Sequence, residues 1–380
     1  MTRMSKVVKP RRAVASATAV LAVACGGVAF APGAASGAAA STPVPAQTAY
    51  VINGISDTVT PIATSTNTPG KPIKVGGSPS AIVVTPSGKT VYVANESTDT
   101  VLPIATATNH PGKPIKVGVA PGAMVITPNG KTIYVANESS NTVTPITTAT
   151  NSPGKPITVG NSPESITVTP NGKTVYVSNL GANTVTPIDT ATNTPRAPIK
   201  VGNTPAAMAV TPDSKTLYVL NADSQSVTPI ATATNTPGTP IPVGNDPYVI
   251  SITPNGETAY VTNLGSNTVT PITIATNTAG PPIRVGKGPQ AAALTPNGQT
   301  LYVGNAISRT VTPIATATNN PGKTIKVGIN AMWIAFTPTG ATAYVANYDS
   351  NSVTPIATAT NTPGTPIKVG KGPAAIVITP

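Results

Sequence analysis

Tyr92-Val93-Ala94-Asn95 is answered 42 positions later by Tyr134-Val135-Ala136-Asn137, and the pair belongs to a longer series. Tyrosine followed by valine stands at Tyr50, Tyr92, Tyr134, Tyr176, Tyr218, Tyr260, Tyr302 and Tyr344. Asparagine closes every copy, from Asn53 and Asn95 through to Asn347. A fixed period near 40 residues marks a repeat architecture, in which each unit buries its apolar face only against a neighbour. The repeat decides the fold. It leaves activity open.

One unit reads as four short strands. Ala81-Ile82-Val83-Val84-Thr85 is apolar and ends at Pro86-Ser87-Gly88-Lys89, a turn by composition. Thr90 to Ala94 alternates, with Val91 and Val93 on one face and Tyr92 on the other. A third strand follows over Thr100 to Thr108, and a fourth over Pro114 to Val117. Four antiparallel strands per unit, joined by short turns, describe a propeller blade. The prolines and the alternation exclude a helical solenoid. Proline recurs in the third strand (Pro61, Pro103, Pro145, Pro187), where it cannot donate to a ladder, so a bulge or fraying is expected there.

The fold class expected is therefore all-β, a single propeller of eight four-stranded blades. Inner-strand segments end at Pro86 and every 42 residues thereafter to Pro380, whereas the first tyrosine, Tyr50, has no inner strand before it. Pairing Ala375–Thr379 with the strand at Tyr50 would close a ring of eight without exposed sheet edges. Seven blades plus a dangling unit is the alternative count.

The ordered motifs Y-V-x-N, T-V-x-x-I, A-T-N, I-x-V-G-x-x-P and T-P-x-G-K-T resemble the YVTN-type β-propeller repeat, over Tyr50 to Pro380. The resemblance implies a secreted, periplasmic or cell-surface protein, similar to bacterial YncE-like proteins. It fixes no ligand, because propellers host many unrelated functions.

Residues 1–40 stand outside the repeat and read as a signal peptide, with 41–49 as a linker. Arg3, Lys6, Lys9, Arg11 and Arg12 precede an apolar run from Ala13 to Ala31, and Ala38-Ala39-Ala40 fits a cleavage site. An uncleaved anchor is the competing reading. Cleavage would remove Cys25, the only cysteine, so the mature chain is expected to form no disulfide. The formal charge of +12 includes five cations of this leader. Without them the case for a nucleic-acid partner weakens, and nucleic acid is not expected to bind.

Chemistry-bearing residues are sparse. His110, the one histidine, lies in a turn, and no phosphate loop is present, since Gly88-Lys89-Thr90 joins two strands instead of opening a helix. The sequence therefore suggests no cofactor. Glu164 with Asp246, Asn203 and Asn245 is the nearest set of oxygen ligands for a metal-dependent, lactonase-like hydrolase, the alternative function.

Divergence between copies points elsewhere. One variable position follows the proline that enters the inner strand: Ser80, Gly122, Glu164, Ala206, Tyr248, Gln290 and Ala374, with Met332 in the copy where Ala331 replaces proline. The other follows the Y-V-x-N asparagine and includes Glu96, Glu138 and Tyr348. Strands that alternate in direction bring both to one face. The candidate ligand-binding residues are Glu164, Tyr248, Gln290, Met332, Trp333 and Tyr348, although Trp333, inside an apolar strand, also suits a core. Lysines such as Lys89, Lys131 and Lys173 mark the opposite face, and Lys74, Lys116 and Lys368 the outer strands. Lysines on outer strands deter edge pairing, and they also suit an anionic polymer. The expectation is an exported, non-catalytic binding or scaffold module at the bacterial cell envelope or outside it. Its partner would be a protein or an envelope polymer, and the chain itself a monomer.

Overall fold

A computed structural model describes residues 47–380, so the leader and the linker up to residue 46 lie outside the described residues. Those described form eight antiparallel sheets arranged as a ring. The sequence count of eight holds. Blades are numbered by their inner strands: Pro79–Val84 opens blade one, Pro121–Ile126 blade two, Pro163–Val168 blade three and Pro205–Val210 blade four. Pro247–Ile252, Pro289–Leu294, Ala331–Phe336 and Pro373–Ile378 open blades five to eight. Neighbouring inner strands pack side by side around the axis.

Blade eight is assembled from both ends of the described chain. Pro373–Ile378 pairs with Thr48–Asn53 in the register Ala49↔Ile378, Tyr50↔Val377, Val51↔Ile376 and Ile52↔Ala375. Thr48 and Thr379 extend the seam, the Thr48 N–H donating to the Thr379 hydroxyl at 2.9 Å and the Thr379 N–H to the Thr48 carbonyl at 3.0 Å. No sheet edge is left where the ring joins.

The alternation in the second strand buries both of its faces. In blade one, Val91 and Val93 pack towards Tyr50 and Ile52 of blade eight, while Tyr92 and Ala94 pack towards Ile133 and Val135 of blade two. All eight tyrosines are 0–1% exposed. A buried phenol needs a partner, and the A-T-N turn of the next blade supplies it. The Tyr92 hydroxyl donates to Asn151 Oδ1 at 2.7 Å and Tyr134 to Asn193 at 2.6 Å. Tyr344 reaches Asn67 across the closing seam at 2.6 Å, and Tyr302 bonds Asn361 in the same way. The accepting asparagines adopt the left-handed conformation, φ 53–58° from Asn67 to Asn361. Asparagine tolerates that region better than most residues.

The other asparagine of the motif works within its own blade. Asn137 Nδ2 donates to Thr142 Oγ1 at 3.1 Å and Thr144 Oγ1 at 3.0 Å, tying the second strand to the third. A glycine packs on the same side chain, since a Cβ on Gly118 would stand 2.7 Å from Asn137 Cγ.

The proline-bearing strand corrects one expectation. Second and third strands pair without a break, Tyr92 opposite Pro103 and Tyr134 opposite Pro145. Each proline instead turns its nitrogen outward, with its carbonyl on the same side. The outer strand splits there into two fragments, such as Thr68–Pro69 and Ile73–Lys74. Between them the Gly70 N–H donates to the Pro61 carbonyl at 2.7 Å, so only the missing donor goes unmatched. Interruption therefore falls on the outermost strand, where it costs least. The third strand accordingly ends at Ala105 and not Thr108, and His110–Pro111, read as turn, is the first outer fragment.

The register break lies elsewhere. In every blade, inner and second strands slip by one residue directly after the entering residue, as at Pro79/Ala81, Pro163/Ser165 and Ala331/Trp333. The skipped residue is a β-bulge, unpaired and re-aimed.

Two predictions follow from the seams. Deleting Pro373–Pro380 should expose the Thr48–Asn53 edge and cost on the order of 5 kcal/mol or more, seen as a shift to aggregate in size exclusion and loss of cooperative melting. Burial also pushes the hydroxyls of Tyr50, Tyr134, Tyr176, Tyr218, Tyr260 and Tyr344 up to about 12. The fold favours their neutral form, so this stability is intact below the unfolded value near 10 and lost as pH climbs towards 12. Alkaline unfolding should start above pH 10, and Tyr134→Phe should lower urea stability by about 1 kcal/mol.

Candidate ligand-binding face

Each inner strand runs away from one face of the ring, called upper here, and each second strand returns to it. The residue after Y-V-x-N and the loop entering the inner strand therefore meet: Glu138 N–H donates to the Ala120 carbonyl at 2.9 Å, and Leu180 N–H to Ser162 at 2.8 Å. Both variable positions share the upper face, as their spacing implies.

The first variable position is the bulge itself. Ser80, Gly122, Glu164, Ala206, Tyr248, Gln290, Met332 and Ala374 are all skipped by the ladder, and all are half-buried. The Ser80 side chain points along the ring towards the neighbouring inner strand, its hydroxyl donating to the Pro121 carbonyl at 2.6 Å. Eight positions filled by seven residue types thus surround the upper mouth of the central channel. Every one rests on the same frame.

Glu164 is the most perturbed of them. Burial first, then the charges of Glu138 and Glu96, pushes its carboxyl up to about 7. Gln290 Oε1 is buried and accepts no hydrogen bond. Tyr248 leans on the core between blades five and six. Trp333 is half-buried against the cores on either side of blade eight, and its Nε1 donates to the Ile376 carbonyl of that blade at 2.9 Å. Its role as an inter-blade brace is thereby accounted for. Tyr348 is half-buried over the next loop, its Cε2 being 3.2 Å from where a Cβ on Gly372 would stand.

The oxygen-ligand set suggested for a hydrolase does not converge on Glu164. Its acidic neighbours are Glu138 and Glu96, on blades two and one, and not Asp246 on blade five. The backbone N–H groups of Asn203 and Asn245 donate to the hydroxyls of Ser224 and Ser266, both at 2.7 Å. Among the described residues no three of His, Cys, Asp and Glu gather as a metal site. His110 is exposed on an outer strand, away from the mouth. A polar depression of about 260 Å³ on the lower face, between blades six and seven, is lined by Asn297, Gln299 and Gly340 and holds no carboxylate, imidazole or amine.

Four large aliphatics are well exposed, and sequence reasoning missed them: Ile55 at 59%, Val119 at 50%, Ile307 at 70% and Ile329 at 38%. All stand on upper loops. The available signal was local, since Lys-Gly-Pro enters only blades six and eight (Lys287-Gly288-Pro289 and Lys371-Gly372-Pro373), the blades that carry Ile307 and Ile55.

Comparison with known proteins agrees with this architecture. The family described as "Lactonase, 7-bladed beta-propeller" matches residues 45–155 and 145–249, more than half the chain. The chain belongs to this family. It departs from the family's description in closing eight blades. Among curated proteins none matches. A solved structure of hydrazine synthase from Kuenenia stuttgartiensis is similar at 25% identity and a TM-score of 0.62, covering 74% of this chain and 96% of that one. Dihydro-heme d1 dehydrogenase NirN in complex with DHE is similar at 12% identity, with a TM-score of 0.74 over 87% of this chain and 74% of that one. A functionally unknown protein from Desulfotomaculum acetoxidans DSM 771 is 16% identical, with a TM-score of 0.62 over 76% and 98%. These last two likenesses describe the fold alone.

Glu164 yields a signed prediction. Its folded value, about 7, lies above the usual 4.5. The folded state therefore holds the proton more tightly, and stability falls as pH rises between those values. Glu164→Gln should leave stability unchanged below pH 4 and raise it at pH 8 by up to about 3 kcal/mol, read from urea unfolding at both pH values.

Proposed function

We propose that this chain is an exported, non-catalytic binding module, working at the bacterial envelope or outside it, whose upper face holds a protein or an envelope polymer. The observation that carries this reading is the bulge ring. Selection for folding alone keeps the blades alike, yet the one inner-strand position outside the ladder differs chemically from blade to blade. Variation on a rigid, repeated scaffold is how loop faces acquire ligands. Gln290 adds a buried amide to the same mouth. Export rests on the leader pattern and on the YVTN-type resemblance, with its secreted YncE-like members.

The family name favours a second reading, lactone hydrolysis, in which Glu164 would act as a general base with a value near neutrality. One set of variants separates the two. Immobilised protein should retain a component of an envelope extract, and Tyr248→Ala with Gln290→Ala should weaken that retention about tenfold or more while the melting temperature holds. Lactone turnover by the purified protein, lost in Glu164→Gln with the fold intact, would replace the binding reading.

A further inference from the structure

Charge is unevenly divided around the upper face. The loops and bulges of blades one to five carry Glu96, Asp99, Glu138, Glu164, Asp223 and Asp246 and no lysine or arginine. Blades six to eight carry Lys287, Arg309 and Lys371, all exposed. The upper fragments of the outer strands carry exposed cations on both sides of the ring, Lys326, Lys368 and Lys74 on blades six to eight and Lys116, Lys200 and Arg284 on blades one, three and five, so the asymmetry lies in the loops. Two carboxylates share the sector of blades six to eight. Asp57 accepts the Ser78 N–H at 2.7 Å, and Asp349 is exposed.

The same three blades carry three of the four exposed large aliphatics, one per blade: Ile307, Ile329 and Ile55. They are held in place. Ile307 and Ile55 lie over glycines in the left-handed conformation, Gly288 (φ 71°) and Gly372 (φ 67°), where an added Cβ would stand 2.9 and 2.8 Å from the isoleucine Cγ1. Six other blades place a side chain at that position (Ser78, Ala120, Asn330 among them), so the glycine accompanies the isoleucine. A serine hydroxyl clamps each loop by accepting a backbone N–H at 2.7 Å: Ser308 from Lys287, Ser350 from Ile329 and Ser56 from Lys371. Tyr348 stands beside Ile55, its Cε2 being 3.2 Å from where a Cβ on Gly372 would lie.

We propose that blades six to eight form a docking surface for an anionic lipid bilayer, the isoleucines entering the headgroup boundary and the flanking cations meeting lipid phosphates. Protein-binding hot spots favour aromatic and arginine anchors set in packed pockets. Here branched aliphatics stand singly on the upper loops, Ile307 bonded through its N–H to the Lys287 carbonyl and Ile55 to that of Lys371, with Tyr348 alongside Ile55. That combination belongs to interfacial membrane binding. The carboxylates of blades one to five keep the rest of the face off an anionic surface, so the ring would stand tilted. This surface is independent of whatever the bulge ring binds.

The test uses residues 47–380, whose ring closure is internal to that span, with vesicles of phosphatidylcholine alone or mixed with phosphatidylglycerol. Sedimentation with the mixed vesicles, released by salt and absent with phosphatidylcholine, is expected. Ile55→Ser with Ile307→Ser, and separately Lys287→Glu with Lys371→Glu, should each weaken it about tenfold. Lys89→Glu with Lys131→Glu, on the lower face, should leave it unchanged. Absence of vesicle binding, or binding lost only in the lower-face variant, would overturn the proposal. So would a self-association in analytical ultracentrifugation that the upper-face variants abolish, which would make a second copy the occupant.

Discussion

A hydrogen bond from a buried tyrosine to an asparagine one blade away is the constraint on which the ring depends. The phenol is the largest side chain in each inter-blade core, and its hydroxyl has no water to reach. Left unmatched, it would cancel about 1–3 kcal/mol of what its ring contributes by packing. The A-T-N turn resolves this by bending an asparagine into the left-handed region directly over it. The bond therefore ties each blade to the next, and its repetition through Tyr344 to Asn67 joins blade seven to the blade that both chain ends build. Few aromatics are needed because each is used at a seam.

Backbone irregularities are sorted by cost. Proline in the third strand removes a donor, and the outer strand is broken opposite it, leaving the ladders nearer the axis whole. The inner strand accepts the other irregularity, a one-residue slip, at the one place where the sheet meets the channel mouth. Interruption at the rim lets the blade flare. Interruption at the mouth exposes a side chain.

Much of this was legible in the residues, and the part that was not has physical reasons. Strict 42-residue spacing gave the count, and period-two alternation placed Tyr92 opposite Val91 and Val93. The prolines pointed to the right residues and the wrong strand, because a sequence shows that a donor is missing but not which neighbour it faces. The bulge has no local signature, since Pro79-Ser80-Ala81 and Pro163-Glu164-Ser165 look like ordinary strand entries. Divergence between copies still marked its position. Trp333 was ambiguous for a sound reason: it is half-exposed at the mouth and also braces two blades. Ile55 and Ile307 were passed over because isoleucine in a β-rich chain reads as core. Only the glycines beneath them distinguish them.

The bulge has a consequence for how such a chain can change. A residue paired in a ladder is judged twice, by its strand partner and by the blade behind it. Residues 80, 122, 164 and their counterparts have no strand partner. Duplication of a 42-residue unit therefore copies a rigid frame together with one site that the ladder leaves unpaired. Each copy can then alter its contribution to the mouth one substitution at a time, without retuning the register of its sheet. The ring behaves as a fixed keyboard whose eight inner keys can be recut separately.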